Sequence, residues 1–373
     1  MSRSPQQTLK TFFYIFIFVI ILLLTFYATS PRLPLSTKRL TLPWPLRMTP
    51  RLHSFLQEPF QIPNEVKYSI KMYKKGNQFK VPQRTNKSTN SSLAELMCTL
   101  KNRVHLSTVK AGDGPFSGEK WERSLPKQSL QETLGNPKTC AVVTSAGALR
   151  GSSLGKDIDS HDAVIRFNSA PMKGYERDVG KKTTVRIVNS QLVVSEKKKF
   201  FQDPRYRTGV LIIWDPAPYS RDLDEWYKHH DYNFHEHYHE YRKVHPEQPF
   251  YIISPSMQWD LWDVIQENSP VDIQPNPPSS GMLGIIVMMS VCKHISVYEF
   301  VPSQRKTELC HYYSSDRNWQ CTQGHYHPLL FEKSLVQRLN RGEEEDILEL
   351  GKVTLDGYSQ YTCPDTMQSE NSL

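Results

Sequence analysis

An α/β fold with a mostly parallel, Rossmann-like central sheet flanked by helices is the architecture this sequence predicts. Short apolar runs recur at 141–143, 163–167, 184–188 and 209–214, and each stops at a Ser, Asn or Asp-Pro turn. Near-continuous apolar runs of this length suit strands covered on both faces, as in parallel sheets. The stretches between them are long enough for crossover connections. A final apolar stretch at 282–289 follows Pro277-Pro278 and a Ser-Ser-Gly start, as a buried, N-capped helix does.

Strand–turn–helix repetition places a ligand crevice at the carboxyl ends of the strands. Ser145, Asn168 and Asn189 close three of the runs and would face it. Small residues admit a nucleotide closely, and amide side chains bond both ribose and base edge. The stretch 138–191 therefore reads as a sugar-nucleotide site. Residues 151–155 match the G-x-S-x-G hydrolase elbow, but that serine must directly follow a strand, and the strand here ends near Ser145. The glycines also miss the G-x-G-x-x-G spacing of a nicotinamide-binding turn. A βαβ unit that packs without any ligand is the plain alternative.

The chain has 373 residues and a formal charge of +8. Residues 1–88 hold 14 Lys and Arg against two acids, Glu58 and Glu65, so this part carries +12 and the remainder −4. A basic leader on a mildly acidic body argues against nucleic-acid binding, which concentrates positive charge on the folded surface. Residues 11–27 are 17 residues without a charge. That is short for a spanning helix, yet long and aromatic for a leader core. We read 1–10 as a cytoplasmic tail and 11–27 as a signal anchor, with a signal peptide cleaved near Ala28-Thr29-Ser30 as the alternative. Short spans favour thin early secretory membranes. The proline-punctuated, basic stretch 28–92 reads as a stem, 93–363 as a single catalytic domain and 364–373 as a tail.

Two N-glycosylation sequons, at Asn86 and Asn90, lie at the end of the stem. Six cysteines (Cys98, Cys140, Cys292, Cys310, Cys321 and Cys363) all follow the apolar segment, and none forms a C-x-x-C pair. An even count beyond a membrane span fits an oxidising lumen, and the absence of C-x-x-C disfavours structural zinc. Fifteen pairings are open to six cysteines.

Further along, residues 222–242 are rich in aromatics and histidines beside Asp231, a composition that suits a carbohydrate surface. Alternate histidines at 235, 237 and 239 would face one way on a strand and could then bind metal; a helix or loop would scatter them. Asp157-x-Asp159 and Asp222-x-Asp224 have the D-x-D spacing of metal-binding glycosyltransferases, a spacing that also arises by chance. The Ser279-Ser280-Gly281 start of the apolar helix offers free N–H groups and a positive dipole end, suited to a phosphate without metal. Pro328 should open another helix, leaving His327 at its edge, where the dipole lowers a histidine pKa and favours a neutral base. Glu332, a turn along, would orient that histidine or face solvent.

Taken together, these residues resemble the eukaryotic sialyltransferases, most closely the β-galactoside α-2,6-sialyltransferases. The large motif is similar to 138–191, the small motif to 275–300, the third motif to 311–314 and the H-x-x-x-x-E motif to 327–332. The runs 274–281 (QPNPPSSG) and 327–333 (HPLLFEK) carry the resemblance most specifically, and it covers roughly 92–363. It implies the family's variant of a GT-A-like fold and a single-pass type II Golgi membrane protein with its catalytic domain in the lumen. A shed soluble form and a homodimer are compatible with it. The implied reaction transfers N-acetylneuraminic acid from CMP to the 6-hydroxyl of terminal galactose on N-glycans, with no cofactor and no metal. The implied pairings are Cys98–Cys363, Cys140–Cys292 and Cys310–Cys321. By motif position, Ser145, Asn168, Asn189, Ser279, Ser280, Gly281, His311, Thr322, Tyr326, His327 and Lys333 would hold the CMP-sialic acid donor. Asp231, Tyr326 and Lys333 would meet the acceptor, and His327 would be the catalytic base. His311 stands where type 1 members have tyrosine, and would donate to the phosphate or only fill space. A metal-dependent glycosyltransferase of another class and a non-catalytic galactoside-binding protein are the competing readings.

Overall fold

The computed structural model describes residues 62–82, 91–318 and 320–364. The expected anchor at 11–27, most of the stem, both sequon asparagines and the tail from 365 onward lie outside the described residues. Among the described residues no helix is long and apolar enough to cross a membrane.

Seven strands form one sheet: β1 Thr139–Val143, β2 Ala163–Phe167, β3 Val185–Asn189, β4 Val210–Trp214, β5 Phe250–Ile252, β6 His294–Tyr298 and β7 Lys352–Asp356. Their order is β5-β4-β3-β2-β1-β6-β7. The first six pair in parallel, and β7 joins β6 antiparallel at the edge. The interior strands β2 and β4 are buried at every position, whereas β7 alternates between buried and half-buried, as expected of an edge with one covered face. The four apolar runs read from the sequence became β1 to β4, to within a residue or two.

Six described helices run ten residues or longer: α1 Asn64–Gly76, α2 Leu93–Arg103, α3 His235–Val244, α4 Pro255–Glu267, α5 Ser280–Val291 and α6 Leu329–Arg338. Alternate strand residues serve opposite faces, the two-residue period of a strand. Val142, Ile165, Ile187 and Ile212 pack with α4 and α5, while Val188, Leu211 and Ile213 pack with Tyr238 and Tyr241 of α3. Helix α5 is apolar all round, so it has no solvent face and lies in the core. It presses close to the sheet at Gly284, where an added Cβ would come within 2.5 Å of the Phe167 ring. All three implied disulfides are present: Cys98–Cys363, Cys140–Cys292 and Cys310–Cys321. The second ties the start of β1 to the end of α5, so the helix cannot drift along the sheet.

The region expected to be stem, 28–92, contains α1, which docks on the globular body. Ser69 Oγ lies 2.8 Å from His325 Nδ1, and the Tyr73 ring meets His325 and Tyr326 edge-on at 5.4 and 5.7 Å. Proline punctuation hid this helix, because the prolines flank it at Pro63 and Pro82 rather than interrupt it.

Candidate active site

The chain lays strands outward from β1 to β5, then crosses back to add β6 on the other side of β1. Such a reversal opens a crevice at the carboxyl ends of the strands. The start of α5 lines it. Ser279 caps α5 by accepting from Met282 N at 3.2 Å. The N–H groups of Ser280 and Gly281, in the first turn, have no partner within the helix and carry its positive dipole end. Gly281 is required by close approach, since a Cβ there would sit 2.9 Å from the Phe300 ring.

Glu332 neither orients His327 nor faces solvent, contrary to the expectation from spacing. It is fully buried, and its carboxylate accepts from Ser279 N at 2.7 Å and Ser279 Oγ at 2.6 Å. Burial pushes its pKa up to about 7, against the lowering effect of the two serine bonds. The H-x-x-x-x-E segment therefore fastens α6 to the N-terminus of α5.

His327 is held from the opposite side. Its Nδ1 lies 2.8 Å from the Pro277 carbonyl, which can only accept, so Nδ1 carries the proton and Nε2 keeps its lone pair. Burial lowers the His327 pKa to about 4, with the Pro277 bond opposing. The neutral state expected from the helix dipole is thus produced mainly by desolvation. The buried run 274–278 grips the same segment twice more: Gln274 Nε2 donates to Gly324 O at 3.3 Å and Asn276 Nδ2 to Tyr326 O at 2.8 Å. Trp214, at the end of β4, bridges the two walls. Its indole N–H donates to Ser280 Oγ at 2.8 Å, and its ring lies 5.9 Å from the His327 ring. Tyr326 stands edge-on to His327 at 4.9 Å. Lys333 donates to the Thr322 carbonyl at 2.5 Å, joining two more of the expected donor residues, and burial lowers its pKa to about 8.

At the other strand ends, the Tyr313 ring stacks on His311 at 5.1 Å, and the Tyr312 N–H donates to the Ser145 carbonyl at 3.2 Å. Burial lowers the His311 pKa. Asn168 adopts a left-handed backbone, φ 46°, and its Oδ1 accepts from Asn189 N at 3.0 Å. Asn189 Oδ1 in turn caps the short helix after β3 through Leu192 N at 2.9 Å, so that oxygen is committed to the fold. Beneath both, Arg186 is fully buried and donates to the carbonyls of Asn168 at 2.8 Å and Ala170 at 3.2 Å.

Asp231 borders a cleft of about 410 Å³. Its backbone N–H is fixed on the buried Asp215 carboxylate at 3.0 Å, which also accepts from Trp226 Nε1, Tyr232 N and Ser190 Oγ. Burial raises Asp215 to about 6. Sequence reasoning missed Trp214, Asp215, Arg186 and Tyr313. The Trp-Asp pair at the end of an apolar run was the available signal for the first two.

The other metal-like patterns resolve into structure. His235, His237 and His239 lie on α3, not on a strand, so they do not share one face. His235 and His239 are buried among Trp121 and Phe234. Asp157 accepts from Tyr298 and Lys352, Asp159 from the N–H groups of Lys181 and Lys182, and Asp222 caps a helix.

A model of glycosyltransferase family 29 (sialyltransferase) matches residues 117–343. Human beta-galactoside alpha-2,6-sialyltransferase 1 is 51% identical over 294 residues, 79% of this chain and 72% of that protein. The mouse protein of the same name is 53% identical over 272 residues, 73% and 67%. Human beta-galactoside alpha-2,6-sialyltransferase 2 is 48% identical over 299 residues, 79% of this chain and 56% of that one, so this chain spans just over half of its length. A crystal structure of a mammalian sialyltransferase aligns at TM-score 0.41 and 21% identity, covering 69% of this chain and 86% of that one. The serine-capped helix, the histidine and glutamate of the H-x-x-x-x-E segment and these sequence matches place the chain in glycosyltransferase family 29, the sialyltransferases.

Proposed function

We propose that this chain transfers N-acetylneuraminic acid from CMP to the 6-hydroxyl of terminal β-galactose, as in Galβ1,4GlcNAc on N-glycans. The observation that carries this reading is the meeting of the α5 N-terminus and His327 through Trp214 and Pro277. It agrees with the names of the sequence relatives. In the proposed reaction the anomeric C–O bond to phosphate breaks and its electron pair leaves with CMP. The Ser280 and Gly281 N–H groups and the dipole of α5 meet the growing phosphate charge, and Thr322, Lys333 and His311 are assigned to the same group. The acceptor hydroxyl attacks the anomeric carbon from the opposite face, its proton passes to His327 Nε2, and the centre inverts. Ser145, Asn168 and Asn189 hold the nucleotide, and Asp231 and Tyr326 the galactose. The phosphate leaves without a divalent ion in this scheme. We further propose a lumenal Golgi setting behind a type II anchor, supported by three disulfides, which persist in oxidising compartments.

The test is incubation of the full-length chain with CMP-N-acetylneuraminate and N-acetyllactosamine in EDTA, with NMR of the product. An α-2,6 linkage is the expected result. Loss of turnover in EDTA would favour the metal-dependent alternative, and galactoside binding without product would favour the non-catalytic one.

Two further results are expected. The kcat/KM profile reports free-enzyme groups. His327 must be neutral, so activity falls as pH drops through about 4, well below an ordinary histidine. Lys333 must be charged, so activity falls as pH rises through about 8. Lys333→Met should lose the alkaline limb. Separately, Arg186→Leu should raise the donor KM about tenfold, equivalent to roughly 1.4 kcal/mol, with less change in acceptor KM. The reason is that Arg186 holds the turn carrying Asn168. Titration of KM for each substrate checks it.

A further inference from the structure

The segment just after α1 forms a wall of the Asp231 cleft, although it lies upstream of the family-matched residues 117–343. Its shape is built rather than incidental. Asn77 ends α1 in a left-handed turn, φ 36°, and its side chain bonds Val81 in both directions at 2.9 Å. Phe79 is buried against Trp259, and its carbonyl accepts from Tyr219 N at 3.1 Å. That anchorage leaves Gln78 and Lys80 exposed on either side. Gln78 lines the same cleft as Asp231, and Lys80 pairs with Glu225 at 3.1 Å. The opposite wall presents Pro216, Pro218 and His229. Proline and imidazole faces beside amide, amine and carboxylate groups suit a sugar, which offers C–H faces and hydroxyls together. Helix α1, from which this segment descends, also reaches the segment of His327: its Tyr73 ring meets Tyr326 edge-on at 5.7 Å.

Resting on the acceptor reading above, we propose that the cleft between Gln78 and His229 binds the sugars that follow the terminal galactose. The pre-catalytic segment 77–81 is then a specificity-determining part of the enzyme for extended glycan antennae. Galactose itself keeps Asp231, whose backbone remains fixed on Asp215 when Gln78 is removed. The experiment uses full-length wild type, Gln78→Ala and His229→Ala with saturating CMP-N-acetylneuraminate. Acceptors are methyl β-galactoside, N-acetyllactosamine and a galactose-terminated biantennary glycopeptide. Each variant should lose about tenfold in kcat/KM on the glycopeptide, the effect of one lost bond of about 1.4 kcal/mol. On methyl β-galactoside the loss should be at most about twofold by the same conversion, and donor KM should not move. Equal loss on all three acceptors, or none on the glycopeptide, overturns the inference. Failure of wild type on every galactoside would overturn the acceptor reading itself, a distinct outcome.

Discussion

His327→Ala should abolish sialyl transfer while leaving CMP binding intact. A positioned general base contributes roughly two to four orders of magnitude in rate, and that is the loss expected in kcat. The affinity for CMP should persist because, in the proposed scheme, its nucleoside and phosphate rest on the strand ends and the α5 N-terminus, and His327 is one of many donor-side residues. His327 contributes one bond to the Pro277 carbonyl, and losing it leaves an acceptor with a second lone pair rather than a buried orphan charge. Calorimetry of CMP binding beside a turnover assay separates the two effects. Intact turnover would remove His327 from the mechanism, and lost CMP binding with lost turnover would make it structural.

The second large effect is expected at Glu332. Glu332→Ala should destabilise the protein by roughly 2–4 kcal/mol, the range for breaking a buried charge-assisted pair and orphaning its partners. It should also weaken CMP binding, because Ser279 loses the contact that sets the α5 N-terminus. Glu332→Gln is the informative control. Its carbonyl still accepts from Ser279 N, and its amide meets a hydroxyl able to accept, so most stability and affinity should return. Denaturant titration and CMP calorimetry read both quantities. If Glu332→Ala binds CMP like wild type, the link between α6 and the α5 N-terminus is not functional.

The contrast between the two variants shows what each level of description supplied. His327 was legible as a candidate base from its motif and from Pro328, which starts a helix at the next residue. Glu332 was misjudged, because a spacing of five residues says nothing about a serine 53 positions away. For the histidines of α3, the sequence left strand or helix open, and the fold decided it. Alternation implies one face only on a strand, and the buried Trp121 and Phe234 around them show a helix packed on the core. Asp215 looked like a strand-ending residue, but burial and four donors make it the post on which the Asp231 loop is hung.

The sequence by itself determined the strands, the buried helix, its serine cap and the histidine at the next helix start. Each of these is written in neighbouring residues, by apolar runs, turn chemistry and proline. Only the tertiary structure decided which carboxylate holds the cap, why the histidine is neutral, and that α1 belongs to the globular body. Those outcomes depend on desolvation and on contacts between residues tens to hundreds of positions apart, which exist only once the sheet order has brought them together.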